Sequence, residues 1–455
     1  MIRCSLGRLD FGKTHHQQMT NWDRSSARES SACLVKPKLA IDGGRPAMRT
    51  PLPPMYPGGM HIGAEEEAAV LAVLRSKRLF RYYGPYPGES KVAEFEKEFA
   101  ACIGTPHAVA VSSGTAALVC ALAGLNVGPG DEVIVPAYTW ISSGGAAIAV
   151  GAVPIVAEID DSLTLDVGDV ARKITARTKA IMPVHMRGAP CRMAEITTLV
   201  QRHGLKIVED VAQAVGGSFA GRSLGGIGDA GAFSFQFNKI ITCGEGGIAV
   251  AKDADTHQRI MMYHDAAAGQ RSRLADEKIM YGLNYRMSEL HGAVMLVQLR
   301  RLPGLLRAMR EHKAILKDAI KETAGRKGVS FRTINDPQGD TGTSFVFFAP
   351  TAERADAISA ALNAEGVAAT VIYRPGRPDY HVYTHWTPVM QQRVCSERGE
   401  PWRWHEGRVE YSPDMCPRSL ELLRRSVHID ISPDMTSDNL EQLADALTKV
   451  FEGVL

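Results

Sequence analysis

From Ala108 onward the chain alternates short apolar runs with longer helical stretches, and few architectures accept that rhythm. Ala108–Val111 precedes a helical Thr115–Leu125, and Asp131–Pro136 precedes the small-residue run Ser142–Val150. Val153–Ala157 and Ala180–Val184 follow, then the helical Met193–His203. Lys206–Asp210, Gly231–Phe235 and Gly247–Val250 supply three more strand-like runs. Parallel strands need crossover connections, and those helices have to lie over the sheet, so the pattern predicts an α/β, mostly parallel sheet covered on both faces.

With 455 residues the expected organisation is one large domain and a smaller one. Residues 36–300 read as the large domain, with 36–60 able to pack on the small one, and residues 301–455 as a smaller α+β domain. A long amphipathic helix begins around Tyr285, with a break or kink expected at Pro303. Residues 374–418, rich in Pro, Trp, His and Arg, read as a long surface excursion. Its His381, His385 and His405 read as surface or packing residues rather than metal ligands, because Pro388 argues against a shared helical face. The first 35 residues, polar and without an apolar core segment, read as a disordered tail and not as a secretory signal.

Charge narrows the function classes. Lys and Arg total 52 against 50 Asp and Glu, with no block of one sign, which argues against nucleic-acid or membrane-surface binding. The apolar stretch Ala108–Leu125 is broken by Ser112, Ser113 and Thr115, so no membrane span is expected. Eight cysteines without a CxxC pair read as free thiols of a reducing cytoplasm.

Three segments carry chemistry. Lys239 follows the uncharged run Ala232–Asn238 and precedes the glycine-rich Gly244-Glu-Gly-Gly247; burial there favours a neutral, nucleophilic amine of the Schiff-base kind. Ser112-Ser113-Gly114-Thr115 lies where strand becomes helix, a place whose free N–H groups attract phosphate. Asp210 ends a strand and can keep a pyridine nitrogen protonated, while Glu209 beside it points the other way on extended chain. Trp140 offers a flat face for a ring, and Ser234 a further phosphate donor. Each alone has an ordinary explanation as a cap, a turn or a core ring. Phosphate turn, acid, then lysine is the order of a pyridoxal-phosphate site.

Together with Gly128-Pro-Gly-Asp-Glu-Val-Ile-Val-Pro136, Met182-Pro-Val-His185, Glu209-Asp-Val-Ala-Gln213 and Asn284-Tyr-Arg-Met287, these blocks make the chain resemble the DegT/DnrJ/EryC1/StrS aminotransferases from about Lys38 to its end. The resemblance implies a fold-type I transferase, a large αβα sandwich with a smaller C-terminal domain, using pyridoxal 5'-phosphate. It implies Lys239 as the covalent anchor and proton shuttle, Asp210 against the pyridinium, Gln213 near the ring hydroxyl, Trp140 stacked on the ring, and Gly114, Thr115 and Ser234 on the phosphate. It also implies a homodimer in which Asn284 completes the partner's phosphate site and Arg286 meets an acidic group of the partner's substrate, with His185 and Tyr138 near the substrate mouth. Val211 departs from the alanine usual after the Asp.

The reaction implied is transfer of an amino group from L-glutamine or L-glutamate to a ketone. Lys38–Pro46 and Met182–Met186 look most like the branch that aminates keto-cyclitols such as scyllo-inosose. The alternatives are a nucleotide-linked keto-sugar acceptor, a dehydratase like 3-amino-5-hydroxybenzoate synthase, and a non-catalytic scaffold relative, against which the intact Lys239, Asp210 and Ser234 argue.

Overall fold

The computed structural model describes residues 38–54, 56–82, 90–272, 274–396 and 399–455, so the expected tail at 1–35 lies outside the described residues. Five strands come first: β1 (His107–Val111), β2 (Glu132–Pro136), β3 (Val153–Ala157), β4 (Thr178–Ile181) and β5 (Lys206–Asp210). A small hairpin of β6 (Ser218–Phe219) and β7 (Arg222–Ser223) leads to β8 (Ala230–Ser234) and β9 (Gly247–Ala251). The central sheet has the order β1-β9-β8-β5-β4-β2-β3. Its pairs are parallel except for β9, which runs antiparallel to both neighbours.

Period-two alternation divides the core. Ile134 of β2 joins one buried apolar cluster, while Val133 and Val135 join the other on the opposite face. Helix Gly114–Gly124 is buried from Ala116 through Gly124, as a helix between sheet and outer layer must be, and its sequence is apolar all round. Strand β4 stops at Ile181 rather than Val184: Pro183 has no N–H for the ladder, and only isolated pairing with Asp210 continues beyond it.

A second sheet, β10 (Ser330–Phe331), β11 (Ser344–Phe348), β12 (Ala369–Val371) and β13 (Ser426–Asp430), has the order β10-β11-β13-β12 and is antiparallel throughout. The helix Glu289–Arg326 links the two sheets without interruption, so the expected break at Pro303 does not occur. Pro303 is exposed, while Leu302, Leu305, Leu306 and Met309 are buried around it. That packing outweighs one missing backbone hydrogen bond. Residues 40–48 pack on the second sheet's side, where Ala40 and Ala47 N–H groups donate to the Glu365 carboxylate at 2.8 and 2.7 Å. Among the described residues no helix is long and apolar enough to cross a membrane.

Residues 374–418 are a surface excursion only in part. Tyr383, Trp386 and Trp402 are buried with the core of the central sheet, and the Trp386 indole donates to the Tyr380 carbonyl at 2.7 Å. The small-residue helix Ser142–Ala149 makes the seat: a Cβ on Gly144 would lie 3.4 Å from the Trp386 ring. Those three aromatics are anchors, while Tyr380 and Trp404 stay exposed. Trp386→Ala should therefore cost about 3–5 kcal/mol, the scale of a buried aromatic deletion, measured as a lower urea midpoint.

Candidate active site

The parallel strands end on one side of the sheet, and the chemistry-bearing residues stand at those ends. Asp210 is the last residue of β5 and Ser234 the last of β8, Ser113 caps the helix after β1, and Trp140 follows β2. With Lys239, Gly114, Thr115 and Gln213 they line one cavity of about 490 Å³. The structure thus brings together eight of the residues expected from sequence.

At one end of the cavity the Ser113 hydroxyl accepts from Ala116 N–H at 3.1 Å, holding open the first turn of helix Gly114–Gly124. A Cβ on Gly114 would meet Ser234 Cβ at 2.6 Å, so only glycine lets the two sides of the corner approach. At the floor, Asp210 Oδ2 accepts from Ser143 Oγ at 2.8 Å and Oδ1 from Ala212 N–H at 3.1 Å. Burial raises the Asp210 pKa, opposed by those donors and by the Lys239 charge. Burial lowers that of the Lys239 amine, and the Asp210 charge opposes it. The Trp140 indole, 46% exposed, keeps its face available.

Glu209 does point away from Asp210. Its carboxylate accepts from Gly225 N–H at 2.9 Å, from Ile227 N–H at 2.7 Å, from Gly228 N–H, and from His185 Nε2 at 3.1 Å. His185 Nδ1 accepts from Cys191 N–H at 3.1 Å, so both ring nitrogens are committed and the ring is fully buried. His185 does not line the cavity, and Tyr138, also buried, packs instead with Val184, Val346 and Val382. Neither reaches the substrate mouth.

Asn284 and Arg286 also lie outside their own chain's cavity. Asn284 is exposed, and Arg286 Nη1 donates to Asp265 Oδ1 at 2.7 Å.

Sequence reasoning missed four polar residues here. Ser143 orients Asp210, and Thr139 hydrogen-bonds Ser143 in turn at 2.6 Å. His381, set aside as a surface or packing residue, lines the cavity. Its Nδ1–H donates to Asp379 at 2.8 Å, leaving Nε2 to accept from Gln213 at 3.4 Å, with its ring 5.0 Å from that of Trp140. Arg187 enters the cavity from the turn after β4. An acid two residues before His381 was the only local sign of any of them.

The cavity thus joins a half-buried lysine, a buried carboxylate and the start of a helix. The family model for DegT/DnrJ/EryC1/StrS aminotransferases matches residues 60–398. The chain belongs to this family. An L-glutamine:2-deoxy-scyllo-inosose aminotransferase of Streptoalloteichus tenebrarius is 33% identical to this aminotransferase over 432 residues, covering 90% of this chain and 97% of that one. A dTDP-3-amino-3,4,6-trideoxy-alpha-D-glucose transaminase of Streptomyces venezuelae is 37% identical, covering 86% and 94%. Among solved structures, a 3-amino-5-hydroxybenzoic acid synthase superposes with a TM-score of 0.73 at 28% identity, covering 88% and 99%. The aminotransferase thus has the α/β architecture of fold-type I transferases.

Burial alone would raise the Glu209 pKa, but the His185 and backbone donors outweigh it and hold it below the usual glutamate range. A carboxylate depressed in the folded state contributes stability above its unfolded pKa and loses it as pH falls through the folded value. Glu209→Gln should cost roughly 3 kcal/mol at neutral pH, the scale of several charge-assisted hydrogen bonds. The gap from wild type should narrow below about pH 4.3, and urea titrations at a series of pH values check it.

Proposed function

We propose that this aminotransferase uses pyridoxal 5'-phosphate to move an amino group from L-glutamine or L-glutamate to a keto-cyclitol of the scyllo-inosose kind. The observation that carries the cofactor reading is Asp210 sharing a buried cavity with Lys239 and the Ser113-Gly114-Thr115 turn. The residues fit the group: the Gly114–Ser234 corner has no room for a side chain but leaves backbone N–H groups of a helix start open to an anion, and Trp140 presents a free ring face.

In this reading Gly114, Thr115 and Ser234 hold the phosphate, Trp140 stacks on the ring, and Gln213 donates near its hydroxyl. Asp210, aimed by Ser143, keeps the ring nitrogen protonated. Bound pyridoxal phosphate supplies an electron sink that lets a proton leave the substrate carbon. Lys239 would hold the cofactor covalently and move that proton, and burial shifts its amine toward the neutral form that can accept it. The cyclitol acceptor is supported by the Streptoalloteichus tenebrarius relative and its near-complete coverage. A nucleotide-linked keto-sugar is the second reading, supported by the Streptomyces venezuelae transaminase. Cys120, Cys191, Cys243, Cys395 and Cys416 are free thiols, which suits work in the cytoplasm.

Purified protein should be yellow and lose that colour when L-glutamine or L-glutamate is added. A band that neither amino acid moves would sink the assigned donor and favour dehydration. Lys239→Ala should abolish turnover, and borohydride reduction should leave it without the cofactor's added mass, which wild type retains. Near-normal turnover of the variant would overturn the role of Lys239.

The same reading includes a homodimer, supported by the exposed position of Asn284 outside its own cavity. Light scattering should give twice the chain mass, and Asn284→Ala should weaken cofactor retention on dialysis without dissociating the dimer.

A further inference from the structure

We infer that Arg187 is the carboxylate anchor of the active site, binding the α-carboxylate of the amino-acid donor. The inference rests on the donor half of the proposed reaction.

Among the described residues of this chain three basic side chains line the cavity: Lys239, Arg187 and the His381 imidazole, whose Nε2 accepts from Gln213. Lys239 is spent on the cofactor in the reading above, and burial drives its amine toward neutrality. Arg187 therefore supplies the permanent positive charge. Keto-cyclitols carry no acid, whereas every amino-acid donor carries a carboxylate on the carbon that bears its amine. A cation in the same cavity as Lys239 is placed for that group.

The turn that presents Arg187 is built for it. Arg187 adopts φ of +54°, uncommon for any residue but glycine, asparagine or aspartate. Both of its backbone groups are held: its N–H donates to Gln213 Oε1 at 3.2 Å, and its carbonyl accepts from Ser344 Oγ at 3.3 Å. Gly188 beyond it fits because a Cβ would lie 2.0 Å from Thr341 Oγ1. The turn is thus wedged between the central sheet's loops and the second sheet, with no freedom to withdraw.

The guanidinium has donors unspent. Nη2 stands 3.0 Å from Asp430 Oδ1, yet Nε and that Oδ1 are both buried without a hydrogen-bond partner. Nη1 makes no hydrogen bond among the described residues, and the side chain is 18% exposed. Burial disfavours the charged form, and Asp430, backed by Asp379, outweighs it. A largely buried fork of N–H groups held by one ill-aimed carboxylate is matched to a second, planar carboxylate. Asp430 then acts as a placeholder that balances the charge of the fork until the donor arrives.

The test uses the holoenzyme and three ligands: L-glutamine, L-glutamine with its α-carboxylate amidated, and 4-carbamoylbutanoate, which is glutamine without its amine. In wild type, L-glutamine should bleach the yellow band much faster than the amide, and 4-carbamoylbutanoate should bind by calorimetry. Arg187→Gln, with an unchanged cofactor spectrum, should lose roughly 10- to 100-fold in the glutamine rate at low concentration, the scale of lost charge-assisted hydrogen bonds. Its rate with the amide should stay near wild type, and 4-carbamoylbutanoate binding should vanish. Asp430→Asn, which leaves Arg187 in place, should bind 4-carbamoylbutanoate more tightly, because the competing charge is gone.

An Arg187→Gln enzyme that keeps its preference for the carboxylate, or loses both rates equally, overturns the inference. So does a loss confined to the ketone half-reaction, which would assign the cation to a phosphate of a nucleotide-linked acceptor. Failure of wild type to react with glutamine or glutamate would instead overturn the proposed donor. In that case Arg187-dependent binding of 4-carbamoylbutanoate still upholds the anchor, and its absence overturns it.

Discussion

Two adjacent carboxylates at the end of β5 serve opposite purposes because extended chain turns successive side chains to opposite faces. Asp210 faces the cavity and Lys239; Glu209 faces inward and gathers the backbone N–H groups of residues 225–228 together with His185. A one-residue slip in the pairing of β5 would exchange the two. The register against β4 and β8, which pairs Ile207 with Ile181 and Asp210 with Ala232, therefore decides which of the two carboxylates faces the cavity.

Around that register the site is assembled from close approaches. Gly114 lets a helix start meet the end of β8, and Ser143, from the helix after β2, reaches across to aim Asp210. That same small-residue helix seats Trp386, which ties residues 374–418 to the central sheet. The tie has a consequence at the cavity: with Tyr383 bonded to the Ala137 carbonyl and the His381 carbonyl accepting from Thr139, the segment lays His381 beside Trp140. A segment that packs the core thereby also furnishes one wall of the site.

Much of this was legible beforehand. The strands Val153–Ala157 and Lys206–Asp210 and the helix Met193–His203 have the bounds expected of them, because buried parallel strands are short and bounded by turns and the helix between them shows its amphipathic period. Asp210 and Ser234 were legible because they end strands, Gly114 and Thr115 because they open the helix after β1, and Lys239 because it follows β8 in the loop on the same edge of the sheet. Residues 374–418 were misread because their aromatics have no period, and burial of an aperiodic segment depends on a seat supplied elsewhere. His185 was misread for a related reason: a histidine just past a strand end looks available until its two partners, Glu209 and Cys191, are seen to close on it.

The sequence by itself determined the sheet, the order of phosphate turn, acid and lysine along it, and hence the class of chemistry. These follow from local periodicity and from what glycine, aspartate and lysine can do at strand ends. Only the tertiary structure decided which polar residues face the cavity. Arg187 and His381 come from distant parts of the chain and line the same cavity, while Tyr138 and His185, which the sequence pointed to, turn into the core. Which side a side chain faces there is set by packing between elements far apart in the chain, and no local pattern carries that information.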